Sequence, residues 1–358
     1  MLRYLFQKIV YGLITLFGVV TVIFFLFTVL PGDPARMMLD QKEDPEQLAQ
    51  IRKNLALDQP LWKQYLLYLN DLSPVSLHSD SDTSYTSLTS GKYKGLKSFE
   101  MGSSTVLFKF PYLRTSFQKQ GKTVTDIIAE TLPNTIVLAV SAITFAIIIG
   151  ILLGIWSALA QDSWIDRSLL VITSFGMSIP SFFSAIIIAY IFAFLLHDLT
   201  GFSMTGSLYE IDDMGEGKHL TLKNLILPAL TLGVRPLAVI TQLTRNSLLE
   251  VLNQDYIRTA YAKGLSPAKV IRKHALKNSL NPVITATSGW FASMLAGAVF
   301  VEFIFGWNGL GKEIVNALNT LDLPVVMGAV LVIAATFIFI NILVDILYGI
   351  LDPKVRLA

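Results

Sequence analysis

The chain has no cysteine. That absence removes disulfide frameworks, thiolate zinc sites, iron–sulfur clusters and cysteine nucleophiles together, and leaves the redox compartment unread. Charge is the next scarcity: 15% of the 358 residues are Asp, Glu, Lys or Arg, against roughly 25% in an ordinary soluble domain. Histidine is scarce too, with His78, His197, His219 and His274 all in loops or at the ends of apolar runs. No HExxH or GxSxG sequence occurs, so an intramembrane hydrolase has no nucleophile with a base beside it. The net charge of +2 is too small to argue for nucleic acid. What the chain has in excess is hydrophobicity, 53% of residues with a mean hydropathy of +0.57. A soluble globule is excluded.

A bilayer core of about 30 Å takes roughly 20 apolar residues in helix. Six runs reach that length, at about 9–30, 135–160, 169–196, 225–243, 283–304 and 325–347, the fourth interrupted by Pro228, Arg235 and Pro236. The first run exceeds the roughly 7–15 apolar residues of a secretory leader and lacks a small-residue cleavage pattern, so it reads as a retained span. Six spans place both termini on one side. In the short segments of that side there are twelve basic residues (Arg3, Lys8, Arg167, Arg245, Arg258, Lys263, Lys269, Arg272, Lys273, Lys277, Lys354 and Arg356) against three on the other (Lys218, Lys223 and Lys312). The positive-inside rule then gives N-in, C-in. The expected fold class is an all-α polytopic membrane protein with six transmembrane helices. Its divisions are a first helix at 1–30, an extracytoplasmic segment at 31–131, and a five-helix core at 132–358 with a cytoplasmic loop at 251–281.

In the long segment, Pro45 and Pro60 open two short amphipathic helices that end near Leu72. From Ser73 to Lys122 the composition shifts to Ser, Thr, Tyr and Lys, and the alternation Thr105-Val-Leu-Phe-Lys-Phe110 reads as a strand. Either a polar surface insertion or a contact with an external partner satisfies this composition.

The loop between the fourth and fifth runs has a defined plan. Asp255 can cap a helix over 256–263, Gly264 can end it at C′, and Ser266 with Pro267 opens a second helix to about Leu280. Asn281 and Pro282 repeat the start signal at the fifth run. The result is a rigid elbow carrying Arg258, Lys263, Lys269, Arg272, Lys273 and Lys277, which by composition alone also suits anionic lipid headgroups. Arg235 is the one ionisable residue clearly at membrane depth, with Asp345 near the inner end of the last run. It is either a ligand for a substrate carboxylate or a structural charge, and no acidic or histidine relay of an ion-coupled carrier accompanies it. Gly306-Trp-Asn-Gly-Leu-Gly-Lys312 matches GxxxxGK, but Glu313 replaces the Ser or Thr that would hold magnesium and no strand precedes it.

Asp255-Tyr-Ile-Arg-Thr-Ala-Tyr-Ala-Lys-Gly-Leu265, followed by Arg272-Lys-His-Ala-Leu-Lys-Asn-Ser-Leu-Asn-Pro-Val283, resembles the cytoplasmic EAA loop of ABC importer permeases, in the form found in the dipeptide, oligopeptide and nickel permease family. Leu30-Pro-Gly-Asp-Pro-Ala-Arg36, Leu132-Pro-Asn-Thr135, Ser178-Ile-Pro-Ser-Phe182, Leu227-Pro-Ala-Leu-Thr-Leu-Gly233, Thr244-Arg-Asn-Ser-Leu-Leu-Glu-Val251, Gly297-Ala-Val-Phe-Val-Glu302, Gly309-Leu-Gly311 and Leu351-Asp-Pro-Lys-Val-Arg-Leu357 follow in the family's order. The loop departs from the general EAA pattern in carrying Arg258, Thr259 and Ala260 at its first three positions, with Lys277 at a later proline position, and about 73–111 stands as an insertion.

The resemblance implies a type I ABC importer permease fold in the bacterial cytoplasmic (inner) membrane. It implies a half-pore without catalytic residues, metal or directly bound cofactor, ATP being used by partner subunits. The implied partners are a second homologous permease, two cytoplasmic P-loop ATPases, an extracytoplasmic substrate-binding protein and the lipid bilayer, with no nucleic acid. The implied ATPase-coupling residues are Asp255, Tyr256, Arg258, Thr259, Ala260, Tyr261, Lys263 and Gly264, with Arg235 on a possible substrate pathway for peptides, nickel chelates or related small solutes.

Overall fold

Apolar runs of this length have one solution inside a bilayer, a helix that satisfies its own backbone, and helices dominate the computed structural model. It describes residues 2–29, 34–37, 45–79, 81, 84–102, 104–211 and 217–351. Residues 30–33 of one quoted motif and the 352–358 tail, with Lys354 and Arg356, lie outside the described residues.

The order is α1 (Leu2–Val29), α2 (Pro34–Met37), α3 (Pro45–Asn54), α4 (Leu61–Leu72), β1 (Val75–Ser79), β2 (Gly95–Met101), β3 (Ser104–Lys109) and α5 (Val124–Leu159). Then come α6 (Trp164–Ser178), α7 (Ser181–Ile188) running on as a π-helix over Ala189–Leu195, α8 (His197–Thr200), β4 (Tyr209–Ile211), β5 (Lys218–Leu220) and α9 (Lys223–Leu252). The chain closes with α10 (Asp255–Ala262), α11 (Pro267–Val270), a π-helical turn over Ile271–Ala275, α12 (Leu276–Ser279), α13 (Asn281–Gly297), α14 (Val299–Ile304), α15 (Leu310–Asn319) and α16 (Leu323–Leu351).

Among the described residues, four helices are long and apolar enough to cross a membrane: Phe6–Thr28 of α1, α5, α9, and Leu323–Ile346 of α16. The third apolar run is not one straight span, because α6 and Ser181–Leu195 meet at 111°. Pro180 has no N–H to continue α6 and holds Ile179 in extended backbone (φ −78°, ψ 129°). The fifth run is divided as well, α13 ending after 17 residues and α14 adding six. Pro228 and Pro236, by contrast, sit inside α9 without ending it. The all-α expectation is corrected by two antiparallel sheets, β1-β3-β2 and β4-β5. The strand read at 105–110 is observed as β3, the central strand of the first.

The chain divides into two compact units. One comprises 1–12, 131–313 and 335–358, and α9 is its centre, with α6, α7 and α13 packed on it. Small residues let α5 come equally near: a methyl group on Gly154 would lie 2.6 Å from Thr244 Cβ and 2.7 Å from the Thr241 carbonyl, and one on Gly150 would lie 2.8 Å from Ile240. The Gly150/Gly154 pair therefore makes a backbone-close helix crossing of the kind that replaces hydrophobic driving force in a membrane. Lys8 and Asp345 close α1 on α16 with a 2.8 Å ion pair.

The other unit comprises 13–130 and 314–334. Its core is polar at the centre. Asp71 is fully buried and accepts hydrogen bonds from Tyr93 Oη (2.8 Å), Tyr85 Oη (3.0 Å) and Arg114 Nε (3.0 Å). The Arg114 guanidinium lies 5.1 Å from the Tyr68 ring, which stacks on Phe24. Lys109 Nζ donates to the Asp71 and Ser73 carbonyls. Burial pushes the Tyr68 hydroxyl up to about 12 and raises Tyr85, Tyr93 and Tyr112 likewise, so all four stay protonated. A buried charge is tolerated only when paired and fully hydrogen-bonded, and this node meets that condition.

Candidate functional site

The elbow is built on the end of α9. Gln254 is the N-cap of α10 and Asp255 its first helical residue, so the cap falls one position earlier than the sequence suggested. Gly264 takes φ +78°, its N–H donating to Tyr261 O (2.9 Å) while Leu265 N–H donates to Ala260 O (3.3 Å). These two bonds form a Schellman ending in which the left-handed residue must be glycine or pay for its Cβ. Ser266 and Pro267 open α11 as expected, but the second helix carries a π-helical turn at Ile271–Ala275.

What makes the elbow rigid is its underside. Ile257 and Ala260 of α10 are buried with Val270, Ala275, Leu248 of α9 and Ala158 at the end of α5, and Leu265 packs on the same cluster. Ala260 thus faces this core rather than outward. Asp255, Tyr256, Arg258, Thr259, Tyr261, Ala262 and Lys263 are exposed, the two tyrosines at 42% and 43%. Asn278 Nδ2 donates to Tyr256 Oη (2.9 Å), tying the exposed face to α12. Arg258 and Asp255 are 3.7 Å apart and fully in solvent, a pairing worth little.

Ten residues before α10, Arg245 is fixed by a carboxylate that the sequence reading passed over. Asp166 accepts Arg245 Nε and Nη2, each at 2.6 Å, as well as Ser157 Oγ and the Asp162 N–H (3.0 Å). The Asp166 side chain is 2% exposed and that of Arg245 15%. This bidentate pair joins α5, α6 and α9 at the end that carries the elbow. Its only sequence signal was an acid in the first turn of one helix and a base in the last third of another, 79 residues apart.

Arg235 lies on α9 exposed within the single chain, its guanidinium 5.8 Å from the ring of Trp290 on α13. It is not brought together with the elbow residues.

The GxxxxGK sequence holds a carboxylate instead of a phosphate. Glu302 is fully buried, and its Oε2 accepts the N–H groups of Gly311 (2.7 Å) and Lys312 (3.1 Å) at the start of α15. A Cβ on Gly309 would sit 2.4 Å from both Glu302 oxygens, so glycine is what admits the carboxylate. Lys312 Nζ turns back to Gly306 O (2.9 Å) and Asn308 Oδ1 (3.0 Å), while Trp307 Nε1 donates to Asn134 O (3.1 Å) and Thr135 Oγ1 accepts Leu310 N–H (2.8 Å). The loop is a structural clasp on α5.

The sequence matches the model of a family described as "Binding-protein-dependent transport system inner membrane component" over residues 150–357, and that of its N-terminal region over 1–84. It is 36% identical to the dipeptide transport system permease protein of Alkalihalophilus pseudofirmus, over 99% of this chain and 100% of the relative. It is 35% identical to the di/tripeptide transport system permease protein of Pseudomonas aeruginosa and 32% identical to the dipeptide transport system permease protein of Escherichia coli K12, each over 99% of both chains. Among solved structures, an amino acid ABC transporter with histidines aligns with 64% of this chain and 95% of its own at a TM-score of 0.43 and 16% identity.

Proposed function

We propose, from the premise that this chain belongs to the family of binding-protein-dependent transport system inner membrane components, that it forms half of the pathway of an ATP-driven importer for short peptides. It is a multi-pass inner-membrane permease. A second homologous permease completes the pathway, and two cytoplasmic ATPase subunits bind and hydrolyse the ATP. An extracytoplasmic protein delivers the solute. In this reading the topology is N-in, C-in with six crossings, the bent α6–α7 pair serving as one and α13 with α14 as another.

The observation that carries the reading is the elbow. Tyr256, Tyr261, Thr259 and Ala262 are exposed on a helix whose other side is locked to α5 and α9. Tyrosines flanked by small residues suit a cleft of an ATPase subunit, because a large flat side chain anchors best where a neighbour can approach closely. A push there reaches the membrane directly: α13 starts at Asn281, immediately after the elbow's last residues, and the Asp166–Arg245 pair conveys the same displacement to α5 and α6. In this reading Arg235, beside the Trp290 ring, receives a peptide carboxylate. A guanidinium at membrane depth is costly unless it is paired or faces a water-filled path.

Reconstitution tests this. In proteoliposomes holding the full transporter, uptake of a short peptide requires ATP and the binding protein and survives a protonophore. Uptake driven by a proton gradient without ATP overturns the proposal in favour of an ion-coupled carrier.

A further inference from the structure

The sheet of the 13–130 unit turns several polar residues inward. Along β1 and β3 the inward residues are Ser76, His78, Thr105, Leu107 and Lys109, on the side of the Asp71 node, and all are buried. The outward row across the three strands is Val75, Phe108 and Leu96, which stand directly opposite one another in the register. A second row places the exposed Leu77 and Phe99 on either side of Val106, which is itself buried. Beyond β3, Phe110 continues the outward side at 90% exposure, with Leu96 at 79%. A contiguous apolar face of this kind, on a sheet that buries its polar residues, marks an interaction surface.

Beside Phe110 the face runs into a cleft of about 660 Å³ lined by Lys92, Lys94 and Lys109, with Tyr93, Tyr112 and Thr125. Asp126 is the one acid among its lining residues, and it accepts from Thr123 Oγ1 (2.6 Å) at the start of α5. We infer that the Leu96–Phe108–Phe110 face and the Lys92/Lys94 rim dock an acidic, apolar-edged surface of the soluble extracytoplasmic substrate-binding protein. This rests on the importer reading above and names where its binding protein sits.

Two observations select that occupant. Asp126 and Thr125 precede the apolar stretch of α5, which begins at Thr135, by nine and ten residues. At 1.5 Å per residue the cleft stands about 14 Å along the helix from the hydrocarbon edge, beyond the roughly 5–8 Å of headgroups. The bilayer itself is therefore not what covers the cleft. A second copy of the same face would bring lysines against lysines, which like-charge repulsion disfavours. A soluble partner with carboxylates around apolar side chains meets both the height and the charge.

The test exploits the absence of cysteine in this chain: Phe110→Cys labelled before assembly gives the chain a single nitroxide site, and the full transporter is then assembled in phosphatidylglycerol/phosphatidylethanolamine nanodiscs. Adding the binding protein that supports uptake immobilises the label. A label that stays mobile with that protein bound overturns the inference. So does one shielded by lipid, or one broadened by a second copy before the protein is added. In uptake, Leu96→Ser with Lys94→Glu raises the half-saturating binding-protein concentration about thirtyfold, the size of one lost hot spot, and leaves the rate at saturation unchanged. An unaltered concentration dependence in that variant sinks the docking face alone, whereas parent uptake that needs no binding protein sinks the importer reading with it.

Discussion

Removing the Asp166–Arg245 pair offers a test whose size follows from its surroundings. Arg245→Ala strands a carboxylate that is 2% exposed with only Ser157 Oγ and the Asp162 N–H as donors. Breaking a buried pair from one side costs about 3–5 kcal/mol, chiefly through the uncompensated charge. Asp166→Ala strands the guanidinium instead, and at 15% exposure water reaches it more readily, so its cost falls at the lower end, about 3 kcal/mol. The double variant leaves no orphan and is less destabilised than the sum of the singles, with a coupling of about 2 kcal/mol. Thermal melts of the purified transporter in nanodiscs then rank parent, Asp166→Ala, Arg245→Ala and the double variant in descending order, the double variant losing about 2 kcal/mol less than the summed singles. Because the pair supports the elbow, solute moved per ATP hydrolysed falls in both single variants before folding is lost. Strictly additive singles, or melts that coincide with the parent, would refute the argument.

At Gly264 an added Cβ meets no atom within 4 Å, but valine must adopt φ +78°, a strain of about 1–2 kcal/mol; membrane insertion is retained while ATP-driven uptake is lost, and normal uptake in Gly264→Val sinks the elbow mechanism. Arg235→Gln raises the KM for peptides with a free carboxylate and leaves C-terminally amidated peptides unaffected, as measured by competition in proteoliposomes; equal effects on both classes assign Arg235 a structural role. The 13–130 unit is pH-bounded on both sides. Burial holds His78 below its ordinary 6.5 and lifts Tyr68 from 10.0 to about 12. Between its folded value and 6.5 the unfolded His78 binds more protons, so stability falls as pH drops below 6.5; between 10 and 12 the folded Tyr68 binds more, so stability falls as pH rises above 10. Hydrogen exchange in β1–β3 should therefore be slowest, after correction for intrinsic rates, at pH 7–9, and protection undiminished at pH 5 contradicts the assignment for His78.

The long apolar helices α1, α5, α9 and α16 were legible because bilayer thickness imposes one length on every span. The breaks in the other apolar runs were legible less well. Ser178-Ile-Pro-Ser carries the stop signal in Pro180, yet the surrounding apolar residues continue without change, so hydropathy alone reads one helix where there is a 111° bend. In the elbow, cap, glycine and proline chemistry is local, and the boundaries at Gly264 and Pro267 emerge within a residue or two. The facing of Ala260 was also available: Ile257 and Ala260 are spaced i, i+3, the signature of an inward stripe. Asp71, Asp166 and Glu302 stayed hidden for a different reason. Each is defined by partners remote in sequence or by glycines that read as something else, and a single chain gives no signal for which distant charge completes a buried pair.

The central claim is that α10 receives the ATPase stroke. The measurement that reaches it most directly is a site-specific cross-link from Tyr261→Cys, unique in this cysteine-free chain, in the intact transporter. The account predicts a link to an ATP-hydrolysing subunit that forms in the resting complex and arrests uptake once made. A residue-261 thiol that reacts only with lipid-borne or aqueous reagents, with uptake unimpaired, would contradict it.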